Sequence, residues 1–144
     1  MQAAAKDLVA KLLTSTHRRL FTMTRGRLGG ELAGMPVLVL TTIGRKSGQP
    51  RQTMLTSPVQ DGENVLLVAS YGGDDRHPTW FLNLRDDPEV VVTMRGKTLP
   101  MHATVASVEE KEQWWPSVTA AYKGYAGYQR RTDRDIPLVI LSPR

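Results

Sequence analysis

The sequence predicts a mainly β protein, an antiparallel barrel decorated by helices, within a chain of 144 residues. Three observations support this fold class. Six segments rich in apolar and β-branched residues have the length of strands, glycine turns of the hairpin type join them, and the predicted helices do not alternate with them. A parallel sheet of the Rossmann type needs that alternation, so it is disfavoured. The length suits one domain with its own core.

Residues 3–23 are predicted to form an amphipathic helix, and four arginines between positions 18 and 27 make its end basic. Its apolar face holds Leu8, Val9, Leu12, Leu13, Thr16 and Leu20. The pattern favours a helix packed on the domain, with a helix that also rests on an anionic membrane surface as the alternative. The glycine-rich stretch 25–34 is predicted to be a loop. Residues 1–28 therefore form a basic helix and linker, and residues 29–144 form the barrel domain.

The predicted strands follow the linker. Segments 36–42 and 53–59 flank a basic loop, and a turn at Asp61 and Gly62 leads into 64–70. Segments 89–95 and 98–106 pair around a turn at Gly96 and Lys97, and 137–142 is the last strand. These segments make up the antiparallel barrel.

Two helices are predicted among the strands. Residues 79–86 form a short helix that Pro88 terminates. Ser107 and Glu110 have the spacing of a capping box, which starts a helix that runs to about Tyr122. Pro116 is expected to kink or split this second helix.

The net charge of +5 is unevenly distributed. Residues 1–51 contain nine Lys and Arg against two acidic residues, and the remaining residues contain ten against twelve. An anionic partner is therefore expected at the first third of the chain, and nucleic acid, phospholipid head groups and a phosphorylated cofactor are all candidates. The sequence has no recognition helix and no RNP-like strand, so nucleic acid is not expected.

The composition excludes several kinds of chemistry. There is no cysteine and the three histidines are scattered, so neither a disulfide nor a metal site is expected. No apolar stretch could span a bilayer and no signal-peptide pattern opens the chain, which predicts a cytoplasmic protein. Peripheral contact with the inner face of the cell membrane through the N-terminal helix is the alternative. No catalytic triad or paired carboxylates are visible, which fits an enzyme whose cofactor does the chemistry.

The basic loop within 37–56 is a candidate anion cradle. It carries Arg45, Lys46, Ser47 and Arg51 together with two glycines, between two predicted strands. Glycine lets backbone N–H groups approach a phosphate, and Arg adds forked hydrogen bonds. The alternative is a basic turn that faces only water.

Two further stretches could line a ligand. The segment 69–73, which contains Ser70, and the helix start at Thr79 would present N–H groups and a hydroxyl to a planar ring beside Trp80. The alternative places Phe81 and Leu82 in the core. The second stretch holds three tyrosines spaced by three, which either close over a flat ligand or fasten a loop as an aromatic cluster; they are Tyr122, Tyr125 and Tyr128.

Five ordered motifs resemble the deazaflavin-dependent nitroreductase family, which includes quinone-reductase-like members. They are Leu-Thr-Thr-x-Gly-Arg-Lys-Ser-Gly-Gln-Pro-Arg at 40–51, Ala-Ser-x-Gly-Gly at 69–73, Pro-x-Trp-Phe-Leu-Asn-Leu at 78–84, Asp-Pro-x-Val at 87–91 and Thr-Asp-Arg-x-Ile-Pro at 132–137. The resemblance implies a split β-barrel of the flavin-reductase (FMN-binding) type that uses coenzyme F-420. It also implies hydride transfer from reduced F-420 to a hydrophobic acceptor, either quinone-like or a nitroaromatic or other conjugated compound.

The resemblance also implies roles for individual residues. The phosphate and acidic tail of the cofactor would be held by Arg45, Lys46, Ser47, Arg51, Gln52, Thr53, Met54, Leu55 and Thr56. The deazaflavin ring would be lined by Val68, Ala69, Ser70, Tyr71, Thr79, Trp80, Phe81, Leu82, Asn83 and Tyr125. Tyr125, Tyr122, Tyr128 and Ser70 would orient the substrate and donate a proton. Met54 and Thr56 depart from relatives, which often carry Pro and an aromatic residue there. The alternatives are an FMN-dependent oxidoreductase on the same fold and a non-catalytic F-420 carrier.

Overall fold

The computed structural model describes residues 31–144. The strands are β1 (Glu31–Leu32), β2 (Met35–Ile43), β3 (Pro50–Thr56), β4 (Val59–Asp61), β5 (Asn64–Val68), β6 (Glu89–Met94), β7 (Lys97–Val105) and β8 (Leu138–Pro143). The helices are α1 (Thr79–Asp86), α2 (Val108–Ala121) and α3 (Gly124–Arg130), and a 3-10 turn spans Tyr71–Gly73. The predicted helix at 3–23, and with it the division at residue 28, lies outside the described residues.

The strands form an antiparallel sheet that curls into a barrel, as predicted. The strand order is β1-β2-β6-β7-β8-β5-β4. Strand β3 lies outside this order and pairs with β2 on the edge opposite β6. Only Ser57 and Pro58 separate β3 from β4, so this stretch of chain crosses from the β2 edge to the β5 edge. The buried Ser57 secures the corner, because its N–H donates to the Pro36 carbonyl at 3.1 Å and its hydroxyl donates to the Leu66 carbonyl at 2.7 Å.

Two apolar clusters hold the barrel and its helices together. Alternate residues of the strands fill the interior, where Leu38 and Leu40 of β2 meet Trp80, Phe81 and Leu84 of α1. A second cluster packs α2 and α3 against the outside of the barrel, and its buried members are Met35, Val68, Val118, Tyr125, Ile136 and Leu138. Tyr125 therefore anchors α3 to the barrel wall.

The two helices predicted among the strands are confirmed. Helix α1 has the predicted ends, and α2 begins with the predicted capping box: the Ser107 hydroxyl accepts from the Glu110 N–H, and the Glu110 carboxylate accepts from the Ser107 N–H. Pro116 does not split α2, which continues to Ala121. Among residues 31–144 no helix is long and apolar enough to cross a membrane, and no cluster of His, Asp and Glu could hold a metal ion.

Some predicted boundaries were wrong. The segment 53–59 is not one strand, because β3 begins at Pro50 and the corner after Thr56 interrupts it. The turn between β6 and β7 lies at Arg95 and Gly96, both with positive φ, since Met94 pairs with Lys97. The short strand β1 lies inside the predicted loop 25–34.

Candidate functional site

A large cavity of about 890 Å³ opens between the barrel wall and α3. Strands β2, β3 and β5, the turn after β5, the start of α1 and the tyrosines of the α3 region contribute its walls. The lining residues are Leu32, Ala33, Met35, Val37, Thr53, Met54, Leu55, Thr56, Leu67, Val68, Ser70, Tyr71, Gly72, Pro78, Thr79, Trp80, Tyr122, Tyr125 and Tyr128. The lining is mainly apolar and aromatic and also carries hydroxyl groups of Ser, Thr and Tyr, a combination that is typical of small-molecule sites.

A second cavity of about 240 Å³ adjoins the first. Thr53, Thr79 and Trp80 line both, so the two cavities share a wall. The other residues of the small cavity are Thr42, Gly44, Arg45, Lys46, Ser47, Arg51 and Asn83. The basic loop predicted from sequence therefore lies beside the large cavity.

The basic loop has a defined conformation. The Gly44 N–H donates to the Gln49 carbonyl and the Gly48 N–H donates to the Gly44 carbonyl, both at 2.8 Å. The Gln49 N–H donates to the Ser47 hydroxyl at 3.2 Å. The loop is also tied to α1, because the Arg45 N–H donates to Asn83 Oδ1 at 3.1 Å.

The small cavity is suited to an anion. Arg45, Lys46 and Arg51 are exposed, and no acidic side chain among residues 31–144 forms an ion pair with them. The N-terminus of α1 lies at the shared wall, where the first N–H groups of a helix lack partners within the helix and favour negative charge. Unpaired cations beside a helix N-terminus form a site for a phosphate or carboxylates.

Ser70 and the 3-10 turn after it form one wall of the large cavity. Ser70 is 8% exposed, and its hydroxyl has no hydrogen-bond partner among residues 31–144. Its carbonyl accepts the Gly73 N–H at 2.9 Å. Tyr71 has a φ of 45° and projects from the turn, 53% exposed, with the Arg76 guanidinium 5.7 Å from its ring centroid. A free hydroxyl and backbone groups thus face the cavity.

The three tyrosines form a compact cluster opposite that wall. The Tyr122 and Tyr125 rings meet edge to face with centroids 5.1 Å apart, and the Tyr122 and Tyr128 hydroxyl oxygens are 3.4 Å apart. Gly124 makes this possible, because a Cβ there would lie 2.4 Å from the Tyr122 ring. The Tyr125 hydroxyl is buried and donates to Met35 Sδ at 3.7 Å.

The hydroxyls of Tyr125 and Tyr128 stay protonated at neutral pH, because the pKa of each is raised above its usual value. Burial raises the pKa of Tyr125, and Tyr122 raises it further, against an opposing hydrogen bond with Thr56. The hydrogen bond with Tyr122 and then burial raise the pKa of Tyr128. Both phenols can therefore donate hydrogen bonds or a proton to a bound molecule.

The structure brings most of the predicted site residues together. The exceptions among residues 31–144 are Gln52, Ala69, Phe81 and Leu82, which line neither cavity. Ala69 and Phe81 belong to the interior cluster, and Leu82 packs against it. Sequence reasoning missed Met35, Val37 and Thr42 of β2, which line the cavities. Thr42 lies inside the recognised motif at 40–51, whereas the only signal of Met35 and Val37 was their place at the start of the predicted strand.

Comparison with known proteins gives consistent matches over most of the chain. The family model described as F420H(2)-dependent quinone reductase matches residues 13–143. An F420H(2)-dependent quinone reductase of Mycobacterium tuberculosis (strain H37Rv) is 37% identical over 136 residues, which cover 92% of this chain and 91% of that protein. A solved structure of an F420-H2 dependent reductase (FDR-A) is 41% identical, covers 74% of this chain and 94% of its own, and has a TM-score of 0.68.

A more distant structure supports the fold alone. HutZ, the heme storage protein from Vibrio cholerae, is 16% identical, covers 88% of this chain and 89% of its own, and has a TM-score of 0.54. The barrel of this chain is therefore shared by proteins that differ widely in sequence.

Proposed function

Because the chain belongs to the F420H(2)-dependent quinone reductase family, we propose that it transfers a hydride from reduced coenzyme F-420 to a quinone-like, nitroaromatic or otherwise conjugated acceptor. The observation that carries the proposal is the shared wall between an apolar, tyrosine-lined cavity and a cavity with three cations that form no ion pair within residues 31–144. A ligand with a planar ring and an acidic arm would match this arrangement. The ring suits the apolar cavity, and the arm suits the basic one.

The chain's residues match the two ends of coenzyme F-420. Arg45, Lys46, Ser47 and Arg51 would hold its phosphate and acidic tail, because charge-assisted hydrogen bonds from Arg and Lys suit both groups. The wall around Ser70 and the side chain of Trp80 would line the deazaflavin ring. When bound, that ring supplies a two-electron hydride donor.

The tyrosines would handle the proton. Reduction of a quinone to a quinol takes one hydride and one proton, so an acceptor oxygen needs a proton donor close to it. Tyr122 and Tyr128 are paired through their hydroxyls, and Tyr125 lies beside both. Whichever phenol donates can recover its proton from its neighbour or from water.

The mouth of the large cavity suits a hydrophobic acceptor. Three of its lining side chains are large, apolar and exposed: Leu32 at 65%, Met54 at 44% and Tyr71 at 53%. An exposed apolar rim around an opening is a feature of sites that take up apolar ligands. A cytoplasmic location, and contact with a membrane surface through residues 1–28, stay predictions from the sequence.

Fluorescence titration with F-420 and with FMN, followed by turnover of a naphthoquinone, tests the proposed function. We expect F-420 to bind more tightly than FMN and the naphthoquinone to be reduced. Tighter binding of FMN would favour an FMN-dependent oxidoreductase, and tight F-420 binding by folded protein without turnover would favour a carrier. Either result would contradict the proposal.

The same titration tests the anion site. The double variant Lys46→Ala/Arg51→Ala should bind F-420 at least about tenfold more weakly, because it loses two charge-assisted contacts. Lys97→Ala/Arg130→Ala removes the same charges from exposed positions that line neither cavity, and should bind normally. Equal affinities in the two double variants would refute the anion-site assignment.

A further inference from the structure

One guanidinium group makes several contacts with the loop between β5 and α1, residues 69–77. Arg134 donates to the Ser70 carbonyl and to the Asp74 carbonyl, both at 2.8 Å, and to the Ala69 carbonyl at 3.2 Å. Its Nη1 also lies 3.2 Å from His77 Nδ1. One side chain thus contacts four residues of the loop, and one of them, Ser70, lines the large cavity.

Arg134 is itself held in place. The Gln129 side chain donates to the Arg134 carbonyl at 2.8 Å and accepts the Ile136 N–H at 2.9 Å, which fixes the chain on both sides. The buried Thr132 hydroxyl donates to Asp75 at 2.7 Å, so a second contact joins the same two segments. The backbone at Arg134 is therefore fixed, and its guanidinium can position the loop.

The loop also touches the tyrosine helix α3. The Arg131 guanidinium donates to the Gly72 carbonyl at 3.3 Å. Gly73 lies so close to α3 that a Cβ on it would be 2.8 Å from the Tyr128 carbonyl oxygen. Movement of the loop would therefore be felt at the tyrosines as well as at Ser70.

We propose that Arg134 is a positioning residue for the ring pocket. It fixes the position of the cavity wall at Ser70 relative to the tyrosines of α3. The inference rests on the proposed function, because the ring of F-420 is the group that this wall would contact. Arg134 lines neither cavity, so it would act on the ring pocket through the loop that it holds. It should therefore govern binding of the ring and leave the anion site unaffected.

Arginine is required for this role because its acceptors point from different directions. A planar guanidinium with five N–H donors can serve three carbonyl groups and an imidazole nitrogen, whereas an ammonium has three donors at a single point. Burial lowers the pKa of Arg134, while Asp74 and Asp75 raise it, and the group stays charged at any physiological pH. Lysine would keep the charge and lose most of the hydrogen bonds.

The test separates ring binding from tail binding. Two probes are titrated: complete F-420, and the deazaflavin chromophore without phosphate and tail. Arg134→Ala and Arg134→Lys should each weaken both probes by a similar factor of at least about tenfold. Lys46→Ala/Arg51→Ala should weaken only complete F-420, and the exposed Arg130→Ala should change neither probe. Unchanged binding of the chromophore by either Arg134 variant would overturn the inference.

Hydrogen exchange of the ligand-free proteins gives a second measure. Amides of residues 69–77 should exchange at least about tenfold faster in Arg134→Lys than in the wild type, while those of the basic loop 44–49 should not change. Equal exchange in the 69–77 loop would overturn the inference even if Arg134→Ala fails to fold. A wild-type protein that binds neither probe would instead refute the proposed function. The exchange measurement uses no ligand, so it would still test the role of Arg134 in that case.

Discussion

Asn83 of α1 connects the helix to the basic loop with one end of its amide and to the end of β2 with the other. Its Oδ1 accepts the Arg45 N–H at 3.1 Å, and its Nδ2 donates to the Thr42 hydroxyl at 3.1 Å. Asn83 is also buried and lines the small cavity. The loop that carries the cations is therefore positioned by the same helix that carries Trp80 in the shared wall.

Replacement of Asn83 by Asp tests the charge of the small cavity without releasing the loop. The carboxylate can still accept from the Arg45 N–H and from the Thr42 hydroxyl, but it adds a negative charge where an anion should bind. We expect F-420 affinity to fall about tenfold at low ionic strength and less at high salt, as measured by fluorescence titration. Gln113→Glu, on the exposed surface of α2, adds the same charge and should have no effect. A salt-independent loss in Asn83→Asp would indicate a damaged loop instead.

Gly72 and Gly73 provide a matched pair for the contact between the loop and α3. Both have positive φ, 64° and 86°, so alanine at either position carries backbone strain of about 1 to 2 kcal/mol. Only Gly73→Ala also places a Cβ against the Tyr128 carbonyl, because nothing lies within 4 Å of a Cβ at Gly72. Urea unfolding should show a larger loss of stability in Gly73→Ala, and F-420 should bind it more weakly. Equal losses of stability would mean that the contact with α3 has no energetic weight.

His77 should make the stability of the fold depend on pH. Burial lowers its pKa from 6.5, and the cations of Arg134 and Arg85 lower it further. The unfolded chain therefore takes up the proton at a higher pH than the folded chain. Stability is full above the unfolded value and falls as the pH decreases from there towards the lowered folded value.

Urea unfolding at about pH 7.5 and about pH 5.5 measures this dependence. His77→Gln keeps an acceptor for Arg134 but cannot titrate, so its stability should change less between the two values. The control is His102→Gln, at a histidine that contacts Glu89 on the barrel surface. It should keep the part of the stability change between the two pH values that His77 produces. An unchanged slope in His77→Gln would show that another group controls the pH dependence.

The parts of the fold that local patterns determine could be predicted from the sequence. Runs of apolar and β-branched residues bounded by turns located β2, β5, β6, β7 and β8. The end of α1 and the start of α2 followed from Pro88 and the Ser107 capping box. The corner at Ser57 was missed, although Pro58 is poorly suited to the middle of a strand. Strand β1 has only two residues and exists through its pairing with β2, so it leaves no pattern of its own.

The site could be predicted in part for the same reason. The basic loop and the tyrosines are visible because their side chains face the cavities, and the family motifs contain them. Arg134 lies in a motif that was recognised, yet its role could not be predicted. Its partners are mainly backbone carbonyls about sixty residues away in the chain, and backbone carbonyls have no sequence signature.

On the proposed function, the wall of Thr53, Thr79 and Trp80 would make the two cavities a bivalent receptor for one molecule. With the acidic arm bound at the basic loop, the ring would reach its own cavity at an effective concentration that a short covalent linkage keeps in the millimolar range or above. Each half can therefore bind weakly and release readily while the complete molecule binds well.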